Sequence, residues 1–102
     1  MNAVKNESEL NVINWASDRN LLKYDNRFVQ LAKVMEELGE LAKAMLENDQ
    51  SKIIDSLGDT NVTLIILANQ LKLSLGECLE IAFDEIKNRK GETINGTFIK
   101  KS

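Results

Sequence analysis

Three observations predict an all-α domain, a four-helix bundle of up-and-down character completed by homo-oligomerisation. Apolar residues recur at i, i+3, i+4 and i+7 over most of the chain. There is no proline, so no helix has to be broken by one. Residues 62–68, reading VTLIILA, are apolar on nearly every side, which is the pattern of a helix buried all round. In 102 residues there is too little chain for two independent cores, so residues 1–102 form one domain. Surrounding such a helix in so short a chain calls for a second copy, and a homo-oligomer is expected, dimer or tetramer.

Residues 1–6 read as a frayed start. The first helix is predicted over Glu7–Arg19, with Leu10, Ile13, Trp15 and Ala16 near helical spacing and Ser8 or Asn6 as its cap. A second helix starts at Asp25 or Asn26 and carries a stripe of Phe28, Leu31, Ala32, Met35, Leu38, Gly39, Ala42 and Leu46. Gly39 costs about 1 kcal/mol against Ala there, so a neighbouring helix is expected to approach closely at that turn. The break Glu47-Asn48-Asp49-Gln50 leads to a third helix, capped by Asp49 or Ser51 and ending near Lys72. Ser74 with Glu77 makes a capping-box pattern for the fourth, whose apolar face is Leu75, Cys78, Leu79, Ala82, Phe83 and Ile86. Gly91 is expected to close it after the basic turn Lys87-Asn88-Arg89-Lys90. The tail carries a turn signal at Asn95-Gly96.

Composition narrows the chemistry. Apolar residues at 43% and charged residues at 28% argue against disorder. A net charge of -3 argues against a groove for a nucleic-acid polymer. No apolar run approaches the roughly 18 residues of a membrane span, and the N-terminus lacks a signal-peptide h-region. The lone Cys78 excludes an internal disulfide and suits a reducing compartment, so the cytoplasm is the expected location. With no histidine, His-based zinc sites, Ser-His-Asp triads and Cys-His dyads are excluded. Carboxylates, amides, hydroxyls and Lys/Arg remain, and carboxylates without His select hard cations, Mg²⁺ first and Mn²⁺ as its alternative.

Five acids stand in one stretch. Glu36, Glu37 and Glu40 share turns of the second helix, and Asp55 and Asp59 share a turn of the third. If the two helices fold back on each other, these carboxylates converge. Like charges at this spacing destabilise a helix unless a cation relieves them. Asp59, just before the apolar half, is expected to be partly buried. The plainer reading is a solvated face with Lys33 and Lys43 as surface ion-pair partners, and spacing alone favours that reading.

The motif Glu36-Glu37-Leu38-Gly39-Glu40, followed after a gap by Leu57-Gly58-Asp59, resembles the signature E-E-x-x-E … E-x-x-D of the MazG-like nucleotide pyrophosphohydrolases. The stretch Leu79–Lys100 is similar to the C-terminal part of small phage-type members, and the likeness runs from about Trp15 onward. One departure is Ser56, which stands where the family's second motif has Glu, with Asp55 beside it as the substitute ligand. The resemblance implies a Mg²⁺-dependent enzyme in which water attacks the α-phosphorus of a nucleoside triphosphate, releasing pyrophosphate and a monophosphate. It implies Glu37, Glu40, Asp55 and Asp59 as metal ligands and Glu36 as a ligand or water-orienting base. Lys87, Arg89 and Lys90 are expected at phosphates, and Trp15 at the nucleobase. Gln30 and Asn95 are further substrate-contact candidates, with Lys100 beside Asn95 in the tail. The rival reading is a non-catalytic helical oligomer that binds nucleotides or a partner protein, motivated by Ser56.

Overall fold

The computed structural model describes residues 6–101. Four helices follow in order: α1 (Glu7–Asp18), α2 (Arg27–Leu46), α3 (Gln50–Gln70) and α4 (Leu75–Ile86), with a 3₁₀ turn at Tyr24–Asn26 leading into α2. An antiparallel hairpin, β1 (Gly91–Ile94) and β2 (Thr97–Lys100), ends the chain. No single helix among the described residues is long and apolar enough to cross a membrane.

Local chemistry explains the helix limits. Asn6 Oδ1 accepts the Glu9 N–H at 2.6 Å, Asp49 Oδ1 that of Lys52 at 3.2 Å, and Ser74 Oγ that of Glu77 at 3.3 Å. The entry to α2 differs: its chain direction is set by the 3₁₀ turn, and Asn26 makes no side-chain cap bond. Three helices close alike, on left-handed residues at Asn20, Asn48 and Lys72. Behind these, the N–H groups of Leu21, Asp49 and Leu73 donate to the carbonyls of Ala16, Ala44 and Ala68, the six-to-one bond of the Schellman motif.

α2 and α3 pack as an antiparallel pair, and their seam is small and polar. Val34 and Ala44 of α2 are buried beside half-buried Gln30, Glu37 and Leu41, and α3 contributes buried Ser56, Thr60 and Thr63. The Thr60 hydroxyl donates to the Ser56 carbonyl (2.7 Å), that of Thr63 to the Thr60 carbonyl (2.8 Å), and Gln30 Nε2 to the Thr63 carbonyl (3.1 Å). α1 covers the second half of α3, where Ala16, Ile65, Ile66 and Ala68 are buried. Gln70, 2% exposed, ties the α1–α2 connection down by donating to the Leu21 carbonyl at 2.8 Å.

Several expectations are corrected here. The α2 stripe does not face α3: Phe28, Leu31, Met35, Leu38 and Leu46 are all exposed. The face turned to α3 lies roughly a third of a turn away, at residues 30, 34, 37, 41 and 44. Among the described residues nothing comes within 4 Å of a Cβ placed on Gly39, so none of the described helices approaches it closely. The all-apolar half of α3 is buried or half-buried from Val62 to Ala68, as its pattern predicts. α4 leaves α3 at 98° and buries none of its residues. It stops at Ile86 rather than at Gly91, which opens β1 opposite Lys100. A Cβ on Gly91 would collide with the Ile99 carbonyl, so glycine serves a close strand approach there and not a helix end. Asn95 and Gly96 both have positive φ, 52° and 78°, the turn that suits a two-residue hairpin.

Candidate functional site

The α2–α3 connection brings the acid-bearing flanks of both helices to one side of the pair. At 100° per residue, Glu37 and Glu40 of α2 and Asp55 and Asp59 of α3 lie on the same flank of the seam. They line a single cleft of about 260 Å³ together with Lys43, Ala44, Glu47, Lys52 and Ser56. Glu37 is half-buried, whereas Glu40, Asp55 and Asp59 are exposed. The expected partial burial of Asp59 is therefore corrected: the apolar run after it turns its buried side toward α1 and α2, and Asp59 faces the open cleft.

The surface ion pairs of the plainer reading are not formed. Among the described residues the ion pairs are Lys52 with Glu47 (3.3 Å) and with Asp49 (4.0 Å), and Lys87 with Asp84 (3.0 Å). Lys33 and Lys43 pair with none of the motif acids. Glu37, Glu40, Asp55 and Asp59 thus have no direct cationic partner among the described residues, and Lys52, whose exposed pair with Glu47 is worth about 0–1 kcal/mol, is free to turn to another anion.

Ser56 is buried in the seam at the cleft's floor, and Asp55, one position earlier, carries its carboxylate to the wall. A divalent ion has an all-oxygen donor set here. Among the described residues no three acids are close enough to hold one ion by themselves. A cation entering the cleft would therefore take one or two of these carboxylates and keep waters in the rest of its shell.

The other candidates stand apart from the cleft. Glu36 does not line it, because it lies a further 100° round α2 from Glu37 and is exposed. The Gln30 amide is engaged with the Thr63 carbonyl, a tie across the seam rather than a free contact group. Trp15 lines a second, apolar pocket of about 320 Å³ with Asn11, Val12 and Val62, and Arg19 stacks 4.3 Å from its ring centre. Lys87 and Lys90 follow α4, Arg89 joins Ile86 and Phe98 in a separate groove, and Asn95 sits in the hairpin turn, as Lys100 does at the end of β2. None of these lines the acid cleft of its own chain.

Residues missed from the sequence are Lys52 and Glu47 in the cleft, and Glu9. Glu9 is 5% exposed; its Oε2 accepts the Gly76 N–H at 3.0 Å, tying α1 to the first turn of α4, and its Oε1 has no hydrogen-bond partner among the described residues. A partner 67 residues away leaves no local signal.

Four helices with this acid motif on the central pair define a member of the MazG-like all-α NTP pyrophosphatase superfamily. Within it the chain belongs to the phosphoribosyl-ATP pyrophosphohydrolase family, whose family model matches residues 12–89. That span contains the whole cleft. A relative in Haemophilus phage HP1 (strain HP1c1), described as an uncharacterized 18.2 kDa protein in the rep-hol intergenic region, is 43% identical over 60 residues. The match covers 59% of this chain and 37% of the relative, so it spans little more than a third of that protein. No solved structure matches. Family membership supports a nucleotide pyrophosphohydrolase kind of activity.

Proposed function

We propose that this chain is a Mg²⁺-dependent nucleoside triphosphate pyrophosphohydrolase, converting a (d)NTP to the (d)NMP and pyrophosphate by attack of water at the α-phosphorus. The observation that carries this reading is the convergence of Glu37, Glu40, Asp55 and Asp59 from two helices on one cleft. One or two of those four at a time would hold the ion, with water and phosphate oxygens completing its shell, and when bound it would supply charge neutralisation of the phosphates and a more acidic water. Lys43 and Lys52 offer ammonium groups to the phosphate chain from the same walls. Glu37 is the better water-orienting base, since Glu36 points elsewhere.

The cleft, at about 260 Å³, is smaller than the roughly 300–1,000 Å³ of sites that enclose a whole ligand. It suits the phosphates alone. Val62 follows Asp59 by three residues, about 4.5 Å along α3, so the Trp15 pocket begins one turn beyond the acids. A substrate with a charged chain at one end and a flat apolar base at the other matches the pair of sites, with Trp15 as the stacking surface and the Asn11 amide at its edge. Lys87, Arg89, Lys90 and Asn95 reach such a substrate only from outside the chain's own cleft.

The test is pyrophosphate release from a panel of dNTPs, NTPs and phosphoribosyl-ATP with Mg²⁺, for wild type, Glu37→Gln and Glu40→Ala. Turnover of at least one nucleoside triphosphate, reduced 100-fold or more in both variants, is the expected result. Turnover of phosphoribosyl-ATP alone refutes the substrate, and binding of a non-hydrolysable dNTP with no turnover of any compound supports the non-catalytic rival.

A further inference from the structure

Three levels of side chain line the acid cleft. α2 and α3 run antiparallel from the short connection at Glu47–Asp49 to the Gln30–Thr63 tie, so a step back along α2 matches a step forward along α3. Between those two fixed points Lys43 stands roughly level with Lys52, Glu40 with Asp55, and Glu37 with Asp59. Successive levels are three or four residues apart on α3, about 4.5–6 Å of helical rise. Val62, which belongs to the Trp15 pocket, follows three residues beyond Asp59. The two lysines are therefore at the end of the cleft nearest the connection, the Trp15 pocket is beyond its other end, and the four acids lie between.

A nucleoside triphosphate carries its phosphates in a fixed order from the sugar. With the base at Trp15, the α-phosphorus falls among the acids, and the two outer phosphates fall at the lysine end. Lys52 is turned away from that place, toward the connection. Its ammonium lies 3.3 Å from Glu47 Oε1 and 4.0 Å from Asp49 Oδ2. Its backbone N–H is fixed separately, to Asp49 Oδ1 at 3.2 Å, as part of the α3 cap. The main chain is thus anchored while the side chain, 61% exposed on a flexible four-carbon stem, can exchange partners. Glu47 lines the same cleft, so the exchange needs no movement of either helix.

We propose that the connection end of the cleft is a pyrophosphate subsite, in which Lys52 exchanges Glu47 for the outer phosphates of the substrate. This rests on the pyrophosphohydrolase reading and gives the cleft a direction, a choice of chain length and a hold on the product. An ammonium is a compact donor that takes carboxylate or phosphate oxygens alike, and pyrophosphate offers it more charge than Glu47 does. Lys43, level with Lys52 and without an ion pair among the described residues, is the second cation at that end. As water adds to the α-phosphorus, the bond from that phosphorus to the bridging oxygen breaks, and its electron pair leaves on the pyrophosphate. Cations at this end meet that charge where it develops. A nucleoside diphosphate held by the same base and acids reaches the subsite with one phosphate fewer, and Lys52 stays on Glu47. Triphosphates are therefore preferred, and Glu47 limits how tightly pyrophosphate is retained.

The test is calorimetric titration of the full chain with pyrophosphate in Mg²⁺, for wild type, Lys52→Ala, Glu47→Gln and the double variant, with helicity checked by circular dichroism. Lys52→Ala is expected to weaken binding about tenfold or more, the worth of one charge-assisted hydrogen bond, and Lys52→Arg to restore most of it. Glu47→Gln frees the ammonium and is expected to tighten binding about twofold or more. In the Lys52→Ala background the same change is expected to do nothing, because its effect runs through Lys52. A merely structural pair predicts otherwise: both single variants break it, and both weaken binding alike. That result overturns the exchange, as does wild-type affinity in Lys52→Ala. Tightening by Glu47→Gln that persists without Lys52 also overturns it, since the acid then repels phosphate directly. Lys52→Gln repeats the titration if Lys52→Ala loses helicity. Turnover of a dNTP by a wild type whose pyrophosphate affinity ignores Lys52 removes the subsite alone; a wild type that neither binds pyrophosphate nor turns over any nucleotide removes the catalytic reading with it.

Discussion

Glu40→Gln separates a metal cleft from a solvated acidic face by a change of sign. Glu40 lies one turn from both Glu36 and Glu37 and is exposed on the cleft wall opposite Asp55 and Asp59. Among the described residues it has no ion pair and no side-chain hydrogen bond, so neutralising it removes repulsion without breaking a contact. Each like-charge pair at this spacing is worth about 0.2–0.5 kcal/mol, so relieving two stabilises the ion-free protein by roughly 0.4–1 kcal/mol. For a domain of about 100 residues that raises Tm by roughly 2–8 °C in chelator. With Mg²⁺ at a hundred times its Kd the wild type gains about 2.7 kcal/mol, a rise on the order of 10 °C or more. The variant loses most of that gain. The curves should therefore cross: Glu40→Gln melts above wild type in EDTA and below it in excess Mg²⁺. Differential scanning calorimetry in the two buffers reads both signs. A wild type indifferent to Mg²⁺, or a variant raised equally in both buffers, refutes the metal cleft.

Two further substitutions probe the scaffold. Gln70→Leu keeps the bulk but removes the part-buried bond to the Leu21 carbonyl, and is expected to cost about 0.5–1.5 kcal/mol in urea unfolding; no loss would mean that the tie is dispensable. Gly91→Ala places a methyl group against the Ile99 carbonyl and the Phe98 ring. It should open the hairpin, seen as faster hydrogen exchange over residues 91–100, and unchanged exchange there would refute the close approach.

How much was legible depended on whether a signal was local. Caps and the Asn95-Gly96 turn rest on chemistry within three residues: Ser74 and the turn are where the sequence puts them, and of the alternatives Ser8 or Asn6 and Asp49 or Ser51 the structure uses Asn6 and Asp49. The convergence of Glu37, Glu40, Asp55 and Asp59 was legible because helical spacing and one short connection fix which flank they share. The packing face of α2 was not. Periodicity marks where apolar residues lie, and in α2 most lie on the exposed side, while the seam sets Gln30, Val34 and Ala44 against Ser56, Thr60 and Thr63, with the Gln30 amide donating across it to the Thr63 carbonyl. Glu36 and Glu37 are neighbours in sequence but 100° apart on the helix, so only the placement of α3 distinguishes them. Glu9 gave no sign at all.

The polar seam and the exposed apolar stripes have one cause. A helix pair that lines a carboxylate cleft has to keep that flank open, because the acids need water, cations or substrate within reach and would be costly against an apolar wall. Ser56, Thr60 and Thr63 occupy buried positions of that seam, and the Thr60 and Thr63 hydroxyls donate to carbonyls of their own helix. The apolar residues that fold the chain are displaced to the back of the pair and to α4.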